Sequence, residues 1–191
     1  MDLRQQRTKR NITNAFLKLR SQKPLEKITV KELAEKAVIH KATFYLHYHD
    51  IYELSENLEW EVINNILNGL SEPAMLLTDT QRFNEELYCL LVANESLLEI
   101  LFSDSRAGIL AVKLEQRLKE YIFERRPDWN TLEINIILTY LIHGGYHAYV
   151  QYKTISKNQQ LDLKQITLII NQVAGSMLSM YTEENLFGQD T

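Results

Sequence analysis

The stretch Ile28-Thr29-Val30-Lys31-Glu32-Leu33-Ala34-Glu35-Lys36-Ala37-Val38-Ile39-His40-Lys41-Ala42-Thr43-Phe44-Tyr45-Leu46-His47-Tyr48-His49-Asp50-Ile51-Tyr52-Glu53-Leu54 decides how the chain folds. Thr29 and Glu32 have capping-box spacing: the hydroxyl accepts a free backbone N–H at a helix start, and the carboxylate returns to the cap. A short helix over about Val30 to Lys36 follows, with Val30, Leu33, Ala34 and Ala37 facing inward. Val38-Ile39-His40 reads as a tight turn, and a second short helix runs from about Lys41 to His47. Asp50 and Glu53 repeat the box and open a long helix through Leu54, Leu58, Val62, Ile66 and Leu70, which Gly69 and Pro73 help to end. Two short helices across a tight turn, the second bearing Lys and aromatic residues, form a helix-turn-helix pattern. The second helix has the size to enter the major groove of DNA, while the first crosses the backbone and holds the register.

Outward from this stretch the helical period continues. A first helix over roughly Gln5 to Ser21 places Ile12, Ala15, Phe16 and Leu19 on one face and bases on the other. Further helices are expected over Gln81 to Ala93, Glu95 to Phe102, Ala107 to Arg126, Thr131 to Tyr152 and Leu163 to Tyr181. Asn130 with Glu133, and Asp162 with Gln165, are the expected caps of the last two, and the tail after Glu184 is expected to fray. Pro24, Pro73 and Pro127 all fall between helical segments, and no alternating strand run is present. The expectation is an all-α fold of about nine helices. A three-helix DNA-binding domain spans residues 1–50, and a helical ligand-binding and dimerisation domain spans 51–191.

Charge divides the same way. The chain has 191 residues and a net charge of −4, but residues 1–50 hold 11 Lys and Arg against 5 acids, or +6, which leaves −10 for the remainder. A basic head can neutralise phosphates, while an acidic body is repelled by them. The single cysteine, Cys89, forms no internal disulfide and is expected to be a small buried hydrophobe. The first residues run into charge without the apolar stretch of a signal peptide, and Asn135, His143 and His147 break the longest apolar region, so a cytoplasmic protein that does not span a membrane is expected. No phosphate loop, nucleophile elbow, metal-ligand array or Cys-centred motif is present, so no enzyme and no cofactor is expected.

With Lys41-Ala42-Thr43-Phe44-Tyr45 followed by an aromatic residue and a capped helix, the first 60 or so residues resemble the DNA-binding domain of the TetR/AcrR family of bacterial regulators. Two departures stand out. Val38 replaces the family's usual turn glycine and His40 its usual serine, so the turn is either reshaped or strained, because a β-branched residue suits positive φ poorly. Ile51 replaces a lysine common at the start of the fourth helix, removing one phosphate contact, with His49 close by. The DNA-facing set is Thr29, Lys31, His40, Lys41, Ala42, Thr43, Tyr45 and His47. Lys41 has the chemistry to donate to guanine O6 and N7 or to phosphate, and Ala42 is small enough to approach a thymine methyl. The resemblance implies phosphate contacts for Thr43, Tyr45 and His47; Phe44 and Tyr48 are expected inward. Thr29, Lys31, Arg4 and Arg7 either brace the DNA backbone or sit on a solvated face.

One such head reads too few base pairs to be selective, so a homodimer on a palindromic double-stranded operator is expected, with half-sites about 34 to 36 Å apart or a multiple of this. Leu163, Ile166, Ile169, Ile170, Val173, Ala174, Met177, Leu178 and Tyr181 spread apolar surface over more than one face, and Thr131 to Tyr152 is apolar nearly all round. The resemblance implies that these last two long helices pair across the dimer. Within Leu141-Ile142-His143-Gly144-Gly145-Tyr146-His147, two mid-helix glycines cost roughly 1 kcal/mol each relative to Ala, which points to close backbone approach or ligand space. The Gly-Gly is similar to a branch of the family that includes the activator of dihydroxyacetone-kinase genes. Tyr88, Phe102, Tyr121, Tyr140, His143, Tyr146 and His147 are the candidate ligand-binding residues for a small-molecule effector, with core packing the alternative for the aromatics. His143 and His147 stand one helical turn apart, within reach of one metal ion, but Gly144 occupies the place of the metalloprotease glutamate and no metal site is assigned. The function expected is a regulator, provisionally a repressor, whose DNA affinity an effector controls; the alternative is an interaction module or partner-dependent activator with weakened DNA binding.

Overall fold

The computed structural model describes residues 3–156 and 163–179, and every regular element among them is helical. Ten α-helices follow one another: α1 Leu3–Arg20, α2 Val30–Ala37, α3 Lys41–Tyr45, α4 Ile51–Asn68, α5 Met75–Thr78, α6 Thr80–Ala93, α7 Glu95–Leu101, α8 Ile109–Arg125, α9 Leu132–Ser156 and α10 Leu163–Ser179. The all-α expectation holds. The tenth helix is α5, a single turn after Pro73 whose Met75, Leu76 and Leu77 are all buried. A run that short carries no period to read.

The chain forms two units. The first comprises residues 3–63 together with Asn94–Ile109, and the second comprises Asn64–Ala93 and the described residues from Leu110 onward. α4 therefore runs from one unit into the other, and the boundary expected between residues 50 and 51 falls at its first turn.

In the first unit Ile12, Ala15, Phe16 and Leu19 are buried on one face of α1, as their spacing requires. They share the core with Leu25, Ile28, Leu33, Phe44, Leu54 and Leu58. Full burial of a side chain such as Ile12 or Phe16 is worth about 1.5–3 kcal/mol, which no surface pair in this unit matches. Ile51 is also in the core, at 5% exposed. The residues 94–109 are held to α1 and α4 by charge. Arg20, 3% exposed, reaches Asp104 Oδ2 at 3.1 Å and Ser103 O at 3.0 Å. Glu59, with no exposed surface, accepts from Arg106 Nε at 2.9 Å and Ser55 Oγ at 3.0 Å.

In the second unit α5, α6, α8, α9 and α10 enclose Leu76, Phe83, Leu91, Leu114, Leu138 and Ile142. α4 ends where Gly69 meets α6: a Cβ there would stand 2.7 Å from Leu90 Cδ2. α9 is capped by Thr131, whose Oγ1 accepts from Ile134 N at 3.3 Å, and not by Asn130, whose side chain instead accepts from Asn135 Nδ2 at 2.9 Å. The expected cap Asp162 and the tail after Glu184 lie outside the described residues. Cys89 is exposed on α6, against the expectation of burial, because its α6 neighbours Tyr88 and Leu91 take the inward positions.

Candidate functional site

The first unit starts α2 and α4 where the sequence proposes, with one alteration at each cap. Thr29 Oγ1 accepts from Glu32 N at 3.3 Å, but the Glu32 carboxylate pairs with Lys23 Nζ and does not return to the cap. At the start of α4, Asp50 Oδ1 accepts from Glu53 N at 2.8 Å, while the Glu53 carboxylate accepts from His49 N, one residue before the cap. Each helix start thus keeps half of its box and uses the acid for a neighbouring partner.

Between α2 and α3 the chain reverses through a Schellman turn. Ile39 N donates to Ala34 O at 3.0 Å and Val38 N to Glu35 O at 3.2 Å. Val38 occupies the left-handed position itself, at φ 57° and ψ 50°, and is 88% exposed. Of the two outcomes the sequence left open, the turn is strained and keeps its geometry. The hydrogen bonds of the turn fix the backbone, and the side chain simply points into water.

α3 ends at Tyr45, sooner than the expected His47, and Leu46 N donates to Ala42 O to close it. Phe44 has no exposed surface and Tyr48 has 4%, so both face inward as expected. Phe44 meets the Tyr45 ring edge-on at 5.5 Å and the Tyr48 ring at 5.8 Å. The Tyr48 hydroxyl is buried without a partner among the described residues, and its burial raises its pKa. Anchored in this way, α3 turns Lys41, Ala42 and Tyr45 outward; His40 ahead of it is exposed, and Thr43 and His47 are half-buried at its margins. Thr29 and Lys31 are exposed at the start of α2. All eight expected DNA-facing residues therefore have at least partial access to solvent, and they run from the cap of α2, Thr29, to His47, two residues past the end of α3.

Two residues of this surface lie outside the expected DNA-facing set. Leu46 is 82% exposed and stands one turn beyond Ala42, and Val38 projects from the turn. The spacing of Leu46 from Ala42 on one helix was the available signal; an apolar residue type argued against using it. Two of the bases counted in the head are committed inside it, Arg20 to Asp104 and Lys23 to Glu32.

The residues proposed as ligand-binding are scattered. Phe102 is buried in the first unit. Tyr121 lies under the Arg125 guanidinium at 3.6 Å and accepts from its Nη2 at 2.8 Å. His143 Nε2 lies 2.9 Å from Glu115 Oε2, and His147 is exposed beside it with ring centroids 6.3 Å apart. Burial would raise the Glu115 carboxyl, but hydrogen bonds from Lys119, Thr139 and His143 outweigh it and hold the group at about 2. No group of three metal-ligating side chains gathers among the described residues. Tyr88 is buried, stacks on Tyr149 at 5.4 Å and donates to Gly145 O at 3.4 Å; burial raises its hydroxyl pKa. With Tyr146 it borders a space of only about 20 Å³.

A larger cavity of about 250 Å³ lies in the second unit between α9, α10 and the α5–α6 pair. Tyr140 is the one expected ligand residue on its wall, and both Gly144 and Gly145 line it. The glycines therefore border open space: a Cβ on Gly144 would meet nothing within 4 Å. The outer wall, Tyr140, Ile169 and Val173, is 56–60% exposed, and Leu132, Ile136 and Leu168 add further exposed apolar surface on α9 and α10. Of the apolar positions expected on the last helix, Ala174 is buried and Ile170 half-buried; the side chains of Leu163, Ile166, Met177 and Leu178, and all of Tyr181, lie outside the described residues. No helix among the described residues is long and apolar enough to cross a membrane. The chain matches no protein-family model, no curated protein and no solved structure.

Proposed function

We propose that the chain is a transcriptional regulator of the TetR/AcrR kind, binding a palindromic operator as a homodimer, with DNA affinity set by a small-molecule effector in the second unit. The observation that carries the reading is the outward face of α3: Lys41, Ala42 and Tyr45 stand in solvent on a short helix held by the buried Phe44. That is the arrangement a major-groove reader needs, a narrow element with polar ends outward and a rigid base. The +6 charge of residues 1–50 supports it, since phosphate neutralisation supplies much of the affinity of such proteins. Dimerisation is supported by the exposed apolar residues of α9 and α10, which an isolated chain would leave in water. An effector acts only through a difference in affinity between two states, and a coupling of about 1–3 kcal/mol changes DNA affinity roughly 5- to 150-fold.

The test is binding of the purified protein to DNA from the promoter region beside its own gene, against scrambled DNA, at several salt concentrations. Specific binding that weakens steeply with salt is expected. Lys41→Ala and Tyr45→Ala should each weaken it without lowering the melting temperature, and unchanged affinity in both variants would refute the assignment. A second reading, a partner-dependent activator or interaction module, is favoured by the exposed apolar Val38 and Leu46 on the head and by Ile51 in place of a base. Weak DNA affinity that is insensitive to salt, together with a tight protein partner, would select it.

A further inference from the structure

The cavity between α9, α10 and the α5–α6 pair has a definite chemistry. Among the described residues no charged side chain lines it. An ionised ligand would give up part of its hydration against the buried inner wall and gain no counter-charge from these residues, so charge is selected against. Its polar groups both accept and donate: Asn84 Nδ2 keeps a second N–H after its bond to Asn171, and Tyr140 carries a hydroxyl. Asn84 is buried and its Nδ2 donates to Asn171 Oδ1 at 2.7 Å, which leaves the Asn84 carbonyl oxygen at the wall. Thr80 Oγ1 donates to Leu76 O at 3.0 Å, which leaves an oxygen lone pair there as well. Size narrows the choice further. An apolar cavity of about 150 Å³ takes benzene, while pockets for drug-sized ligands begin at about 300 Å³. At about 250 Å³ this one fits between them. The two glycines weaken α9, and a Cβ on Gly144 would meet nothing within 4 Å, whereas one on Gly145 would meet the Tyr88 hydroxyl at 3.7 Å, so Gly144 is the position from which to fill the space.

We propose that this cavity binds an uncharged, mainly apolar small molecule of one or two fused or linked rings whose single polar group hydrogen-bonds to Asn84 or Thr80. The proposal rests on the regulator reading for what binding accomplishes, and not for binding itself.

Two fluorescent probes with a shared two-ring skeleton test it: 1-naphthylamine, neutral with one amino group, and its anionic relative 5-amino-1-naphthalenesulfonate. The full chain should bind the neutral probe saturably, and the sulfonate at least about tenfold more weakly, because its charge has no partner in the cavity. Gly144→Leu places a side chain in the open space on a residue better suited to a helix, and should lower affinity for the neutral probe at least about tenfold with no loss of melting temperature. Val173→Trp narrows the outer wall from α10 and should do the same if Gly144→Leu misfolds. Equal affinity for both probes, undiminished binding in the folded variants, or no binding of the neutral probe to the folded parent each overturns the proposal. If the parent binds neither probe and Gly144→Leu breaks a dimer in sedimentation, a second copy of the chain fills the cavity, which also overturns it. Operator binding is measured on the same preparations. Its loss with probe binding intact refutes the regulator reading alone, and the reverse refutes the cavity alone.

Discussion

Replacing Val38 by glycine should make the protein more stable. The residue sits at φ 57° and ψ 50°, where an L side chain is crowded and a β-branched one more so. Strain of this kind costs about 1–3 kcal/mol, and about 2 is the appropriate figure for a β-branched residue. Two terms oppose the gain. Glycine has more freedom to lose on folding, roughly 0.5–1 kcal/mol. The Val side chain also gives up its contacts, but at 88% exposed it holds only about a tenth of the roughly 1.5–3 kcal/mol that full burial is worth, or ~0.3 kcal/mol. The balance is about +1 kcal/mol. For a chain of this size that raises the melting temperature by about 2–4 °C, or about 4–8 °C if the first unit unfolds alone. Calorimetry or circular dichroism on the parent, Val38→Gly and Val38→Asn reads the effect directly. Asn tolerates the left-handed region and should gain part of it. The hydrogen bonds of Ile39 to Ala34 and Val38 to Glu35 do not involve the side chain and should persist. An unchanged or lower melting temperature in Val38→Gly would refute the reasoning, because it would mean that the turn does not hold the left-handed conformation in solution.

Tyr48→Phe removes a buried hydroxyl that has no partner among the described residues and should stabilise the fold by about 1 kcal/mol, measured by urea unfolding; destabilisation would show that the hydroxyl is satisfied. Arg106→Ala removes the guanidinium that balances a carboxylate with no exposure and should cost about 3–5 kcal/mol, whereas Glu59→Gln, which leaves an Arg106 side chain already 23% exposed, should cost less; equal losses would refute the asymmetry. The Glu115 pKa is lowered on folding, from an ordinary 4.5 to about 2, so its contribution to stability is complete above about pH 4.5 and is lost as pH falls toward 2. Glu115→Gln should flatten unfolding free energy against pH within that window and nowhere else.

What could be read in advance follows from the range of the interactions. Helix starts at Thr29 and Asp50 were legible because a cap is a contact between residues three apart, and the acid of each box went elsewhere only because a non-neighbour, Lys23, or the preceding residue, His49, competed for it. Phe44 and Tyr48, expected inward, stand four residues apart and are both buried. The ligand set was not legible in this way. Aromatic residues at helical spacing look alike whether they line a cavity, stack like Tyr88 on Tyr149, or lie under a guanidinium like Tyr121 under Arg125.

By itself the sequence determined the all-α class, the capped helix starts and tight turn of residues 29–54 and their charge, and the outward Lys41 and Tyr45, because each rests on residues close together along the chain. Tertiary structure alone decided that residues 94–109 join the first unit through Arg20–Asp104 and Glu59–Arg106, that Cys89 faces solvent, and that Gly144 and Gly145 open on a cavity. Those features depend on which helix packs against which, and so on partners tens of residues away that no local period records.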